Sequence, residues 1–161
     1  MSEPIREILP EENTMPMHWH GFLTKFMLFL AAVVHAAQAA LILSGKIYYT
    51  AAVRDQVYAG IPGLRIADYA LAGCLIIAAL LQIISAGKLR KLQWQGVQLL
   101  KSAYALLCLS QIIHALARFF IAGLSPLNIS VIAQALGYGA LLLVNALYYH
   151  RRRSAFGKET K

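Results

Sequence analysis

The chain has 161 residues, 59% of them hydrophobic and only 14% charged, with a mean hydropathy of +0.58. Soluble domains sit at roughly 45–50% apolar and about 25% charged residues, so an ordinary water-soluble globule is excluded and hydrocarbon is the expected solvent. The net charge of +8 would suggest nucleic acid in a soluble protein. Here the basic residues flank apolar runs, so the expected partners are the lipid bilayer and its anionic inner-leaflet headgroups, with no nucleic acid.

The first 20 residues are acidic and proline-containing, with Glu3, Glu7, Glu11 and Glu12 among Pro4, Pro10 and Pro16. They lack the basic start and small-residue cleavage site of a signal peptide, and are read as a cytoplasmic N-terminal segment. Four apolar runs follow, at about 21–44, 65–86, 97–123 and 127–149. Each meets the ~20 residues needed to cross a core ~30 Å thick. None alternates with period 2, and helices satisfy every backbone group within the segment. The expected fold is all-α: a polytopic membrane four-helix bundle over 21–150, ending in a basic cytoplasmic tail at 151–161.

The breaks carry matching punctuation. Ser44-Gly45 ends the first helix, Ile61-Pro62-Gly63 precedes the second, Ala86-Gly87 ends it, and Gly123-Leu124-Ser125-Pro126 turns the third into the fourth. The outer loop holds a stretch from Tyr49 to Tyr58 expected to form a short surface helix. Residues 88–96, basic with interleaved Leu and Trp, are read as a cytoplasmic loop near the inner leaflet. Ala32, Ala36 and Ala40 recur every four residues in the first helix, and Gly137 and Gly139 lie in the fourth, a pattern that lets helices approach closely.

Orientation follows from the cations. Arg6, Lys25, Lys88, Arg90, Lys91, Lys101, Arg151, Arg152, Arg153, Lys158 and Lys161 fall on one side, and Lys46, Arg54, Arg65 and Arg118 on the other. Eleven against four places both termini in the cytoplasm. Tyr48, Tyr49, Tyr58, Trp94, Tyr148 and Tyr149, with His18, Trp19 and His20, sit where interfacial belts form. The expected location is a bacterial cytoplasmic membrane.

Polar residues inside membrane helices are costly and mark function. Helix three carries Gln111, His114 and Arg118 on one face, helix one His35 and Gln38, helix two Asp68, helix four Gln134. Counted from the helix ends, these seven form one cluster in the outer half. Asp68 and Arg118, opposite in charge and similar in depth, are the expected ion pair. His35 and His114, each about ten residues from an outer end, share a depth of ~15 Å; that is the arrangement a bis-His haem b requires in a bundle. The plainer reading is interhelical hydrogen bonding without a cofactor. Cys74 and Cys108 lack any CxxC or metal-ligand spacing, so neither a metal site nor a disulfide is expected.

Enzyme signatures are lacking: no GxSxG, P-loop, HExxH or paired carboxylates. Val57-Tyr58, Gly63-Leu64 followed by Asp68, and the ending Val144-Asn145, Tyr148-Tyr149, Arg151-Arg152 and Phe156 form a pattern over roughly 22–157. It resembles a group of small, largely uncharacterised four-helix membrane proteins of gut and soil Firmicutes. Some of that group carry an N-terminal zinc ribbon, for which this chain has no cysteine before Cys74. The resemblance implies the topology and no activity. The expected function is a non-enzymatic structural or accessory component, or a small-ligand binder using the outer polar cluster. The alternatives are a haem- or quinone-linked electron carrier and an oligomeric transporter or channel subunit. A homo-oligomer or membrane-protein partner stays open.

Overall fold

The computed structural model describes residues 17–48, 50–125 and 129–156. They form α1 (His18–Leu43), α2 (Ala51–Gly60), α3 (Pro62–Arg90), α4 (Trp94–Ala122) and α5 (Ile129–His150), with no strand among the described residues. Helices α1, α3, α4 and α5 are each long and apolar enough to cross a membrane, as the all-α bundle expectation required. Most of segment 1–20, residues 157–161 of the tail, Tyr49 and the expected start of the fourth helix at 127 lie outside the described residues.

The helix ends depart from expectation in one consistent way. Helix α1 starts at His18, α3 runs from Pro62 to Arg90, and α4 starts at Trp94. The expected stop at Ala86-Gly87 and the long basic loop are therefore corrected: only residues 91–93 turn between α3 and α4. The apolar window stops where Lys88 and Arg90 begin, but the helix continues, with Lys88 Nζ donating to Gln95 Oε1 (2.6 Å) and Arg90 reaching the start of α1. The other stops fall as expected. Gly45 (φ +76°) and Gly123 (φ +64°) take the left-handed conformation that closes α1 and α4. Pro62 occupies the first turn of α3, where its missing N–H is not needed.

Helices α3 and α4 form the centre of the bundle, α1 packs on α3, and α5 packs on α4. The buried face of α1 is Ala32, His35, Ala39 and Ile42, spaced three and four apart as one helical face demands. Ala36 and Ala40 point outward, which corrects the small-residue stripe; close approach on this helix uses Ala32 and Ala39. In α5, a Cβ at Gly139 would lie 3.9 Å from Cys108 Sγ on α4.

Outward-facing residues are as apolar as the interior: Ile66 is 75%, Phe120 79% and Ile129 83% exposed. In water that surface would drive aggregation, whereas lipid makes it neutral.

The end of the bundle that holds the start of α1 is locked by two devices. Helix α1 contains a π-helical turn, Leu23–Met27, and the Thr24 carbonyl there accepts from Arg90 Nε (3.2 Å) and Nη2 (3.0 Å). Helix starts and ends are then clamped together. Trp19 Nε1 donates to Asn145 Oδ1 (3.2 Å), and His20 Nδ1 meets the Tyr149 hydroxyl (3.1 Å). Phe156 packs edge-on to His20, Trp94 and Tyr149. The aromatic C-terminal pattern is thus a clasp that holds the first helix to the last.

Candidate functional site

The end of the bundle away from the start of α1 is organised by one buried carboxylate. Asp68, 1% exposed, lies two turns into α3. Its Oδ1 accepts from His114 Nε2 on α4 at 2.8 Å. Its Oδ2 accepts from the hydroxyls of Tyr48 and, at 2.9 Å, Tyr58. Tyr48 comes from the turn Lys46–Tyr48 that leaves α1, and Tyr58 from α2, whose start is capped by Thr50 Oγ1 accepting from the Val53 N–H (3.2 Å). Burial and the neighbouring carboxylate push the Tyr48 phenol up to about 12, against a smaller opposing effect of the Arg118 cation. Burial and Asp68 raise Tyr58 as well. Both phenols therefore keep their protons and act as donors.

The expected Asp68–Arg118 ion pair is not formed, and His114 takes that place. His114 and Arg118 share a face of α4 one turn apart, and either could have met α3. Asp68 stands level with His114, and the tyrosines of the outer segment fill its second oxygen. Arg118, half-buried, has its Nε out of water without a partner. It lines a cavity of about 320 Å³ with His114, Leu124, Ser125 and Val131.

His35 belongs to a separate site. It is 3% exposed; its Nδ1 meets Gln82 Oε1 on α3 at 3.0 Å, and its Nε2 meets the Tyr138 hydroxyl on α5 at 3.0 Å. A carboxamide oxygen only accepts, so Nδ1 carries the proton toward Gln82, and Nε2 shares the second hydrogen bond with the Tyr138 hydroxyl, which leaves both ring nitrogens engaged. Gln82 is fully buried, with its Nε2 unpartnered.

Gln82 and Asp68 lie on one helix ~21 Å apart at 1.5 Å per residue, so His35 and His114 sit at different depths. The equal-depth expectation fails because the helix ends are not flush. Helix α1 stops early and the chain climbs through 46–48 before Tyr48 reaches Asp68. Two axial ligands must face each other across one macrocycle, and this separation disfavours a haem between them.

Gln38 on α1, Gln111 on α4 and Gln134 on α5 do converge. Together with Leu41, Ile42, Leu71 and Leu75 they line a cavity of about 170 Å³. Gln111 is buried, Gln38 half-buried and Gln134 exposed on the outer surface of the bundle, and no side-chain hydrogen bond joins any of the three amides to a described residue. Going outward, Gln111 is followed by His114 on α4, and Gln134 is preceded by Val131 on α5. The glutamine cavity and the Arg118 cavity therefore occupy successive turns of the same two helices.

Sequence reasoning placed the seven polar residues in one cluster, and they divide between an acid–histidine site, a glutamine cavity and a mid-membrane histidine. It missed Gln82 and Tyr138, although a glutamine in the middle of an apolar run is itself a signal. It read Tyr48 and Tyr58 as belt residues, since nothing local shows that a loop folds back onto a helix. Compared with known protein families, curated proteins and solved structures, the chain matches none.

Proposed function

We propose that the protein is a multi-pass component of a bacterial cytoplasmic membrane that holds a small amphiphile between its helices in the outer half, without chemistry of its own. The orientation rests on the cation count, with both termini cytoplasmic. Arg90 reaching Thr24 and Trp19 reaching Asn145 bring the basic ends of α3 and α5 to the same side as the start of α1. The resemblance to the Firmicutes group supports the bacterial membrane.

One observation carries the ligand reading: three carboxamides from three helices line one cavity and do not bond one another. An amide out of water without a partner costs ~1–3 kcal/mol in mutational data. Leucine at any of these positions would fill the space at no such cost, so packing alone does not account for them. A ligand with an apolar body and a hydroxyl, carbonyl or acid group would satisfy the amides and match the leucines beside them.

Mass spectrometry of small molecules retained through purification in a neutral maltoside detergent tests this. Wild-type protein is expected to retain an amphiphile that Gln111→Leu loses, while the variant keeps its fold and stability. Equal retention by both proteins, or unfolding of the variant, would show that the glutamine serves the fold and not a ligand.

A further inference from the structure

We infer that Arg118, with His114 and Ser125, forms a site for an anionic oxygen group, a carboxylate or phosphate, at the outer end of the bundle. The inference deepens the amphiphile reading and rests on it in one respect: it names the head that would lie one turn outward of the glutamine cavity.

The argument starts from the cations. Arg54 pairs with Asp55 at 2.7 Å, Arg65 lies over the Tyr69 ring, Arg90 donates to the Thr24 carbonyl, Arg152 lies over Tyr148 and Arg153 over Trp94. Arg118 has no side-chain hydrogen bond, ion pair or ring contact with a described residue, and its Nε is buried without a partner. The expected partner, Asp68, is instead engaged by His114, Tyr48 and Tyr58. Among the described residues no carboxylate pairs with Arg118. A buried N–H without an acceptor is costly, and the rest of the guanidinium opens onto the cavity, which points to an outside partner.

The surroundings define that partner. The guanidinium fork matches two oxygens of a carboxylate or phosphate. The cavity of about 320 Å³ is roughly ten times the ~30 Å³ share of one water and takes a headgroup. Ser125 lines the rim, and Leu124 and Val131 supply apolar walls. Asp68 lies behind His114, so its charge is spread over three donors and not presented to the cavity.

The test is binding to the purified full chain in neutral maltoside detergent, by calorimetry, with octanoate, octanol, acetate and inorganic phosphate as probes. Octanoate is expected to bind more tightly than octanol. Arg118→Gln should lose about tenfold or more in octanoate affinity, the scale of one charge-assisted hydrogen bond, and Arg118→Lys should recover part of it. If acetate or phosphate binds as well as octanoate, and Arg118→Gln abolishes that binding, the site takes a free anion and the inference stands. Equal binding of octanol and octanoate, with Arg118→Gln unchanged, overturns the anion site and leaves the amphiphile reading intact. Binding of none of the four probes overturns the inference, while the retained-molecule measurement on Gln111→Leu still decides the amphiphile reading. Arg118→Gln and Arg118→Lys both failing to fold would make Arg118 a structural residue, and the inference would fall.

Discussion

Replacing Asp68 with alanine is expected to destabilise the bundle by about 3 kcal/mol, the upper end of what leaving buried donors without an acceptor costs. The carboxylate is the common acceptor for His114 on α4, Tyr48 from the turn after α1, and Tyr58 on α2. Its loss leaves three donors facing one another out of water. The two neutral phenol bonds account for the smaller share, since hydrogen bonds inside membrane proteins average ~0.6 kcal/mol. The histidine bond accounts for the larger. A double-mutant cycle in reversible mixed-micelle unfolding separates the partners. His114→Ala combined with Asp68→Ala should cost at least 1 kcal/mol less than the sum of the singles. Arg118→Leu combined with Asp68→Ala should simply add. A rescue by Arg118→Leu, with no coupling to His114, would restore the ion pair first expected and refute the observed histidine hydrogen bond.

The second large effect is expected at Gly96. A Cβ there would lie 2.7 Å from the Leu89 backbone nitrogen, 2.9 Å from Leu89 Cγ and 3.1 Å from the Lys88 carbonyl carbon. Two of these are backbone atoms of the facing helix and cannot rotate away. The turn between the helices spans only residues 91–93, and the Ser85 hydroxyl bonds the Gly96 carbonyl at 2.8 Å, so the helices cannot separate locally either. Gly96→Ala gains ~1 kcal/mol of helix propensity but meets an overpacking cost of ~1–3 kcal/mol or more. The clash wins, with a net loss of about 2 kcal/mol. Gly87→Ala, where nothing lies within 4 Å, serves as the control and should be neutral or slightly stabilising. Thermal unfolding of the two variants in the same detergent checks the contrast; equal melting temperatures would mean that the α3–α4 approach is looser than described.

These residues also show what the sequence makes legible. The four spans are plain because ~20 apolar residues in a row have few other uses. Their ends are not, because Lys88, Arg90 and Lys101 can sit on a helix that still emerges from lipid. Depth was misjudged for His35 because counting from helix ends assumes flush ends, and the early stop of α1 at Gly45 breaks that assumption. Asp68 was recognisable as a buried acid, but its partner was not. His114 and Arg118 share a face of α4, and the choice depends on two tyrosines from a segment whose fold-back has no local signature. The convergence of Gln38, Gln111 and Gln134 was foreseen in outline, as three polar positions in the outer half. That they line a cavity and do not bond each other depends on how α1 and α5 pack around the central pair.

The most direct test of the whole account asks which end of the bundle faces outward. Lys46→Cys and Ser154→Cys, each placed in a chain whose Cys74 and Cys108 are alanine, would be exposed to a membrane-impermeant maleimide in intact cells. Labelling at position 46, with position 154 protected until the membrane is opened, is the predicted result. Labelling at position 154 with position 46 protected would place the Asp68 site and both cavities on the cytoplasmic side, and the account would be wrong.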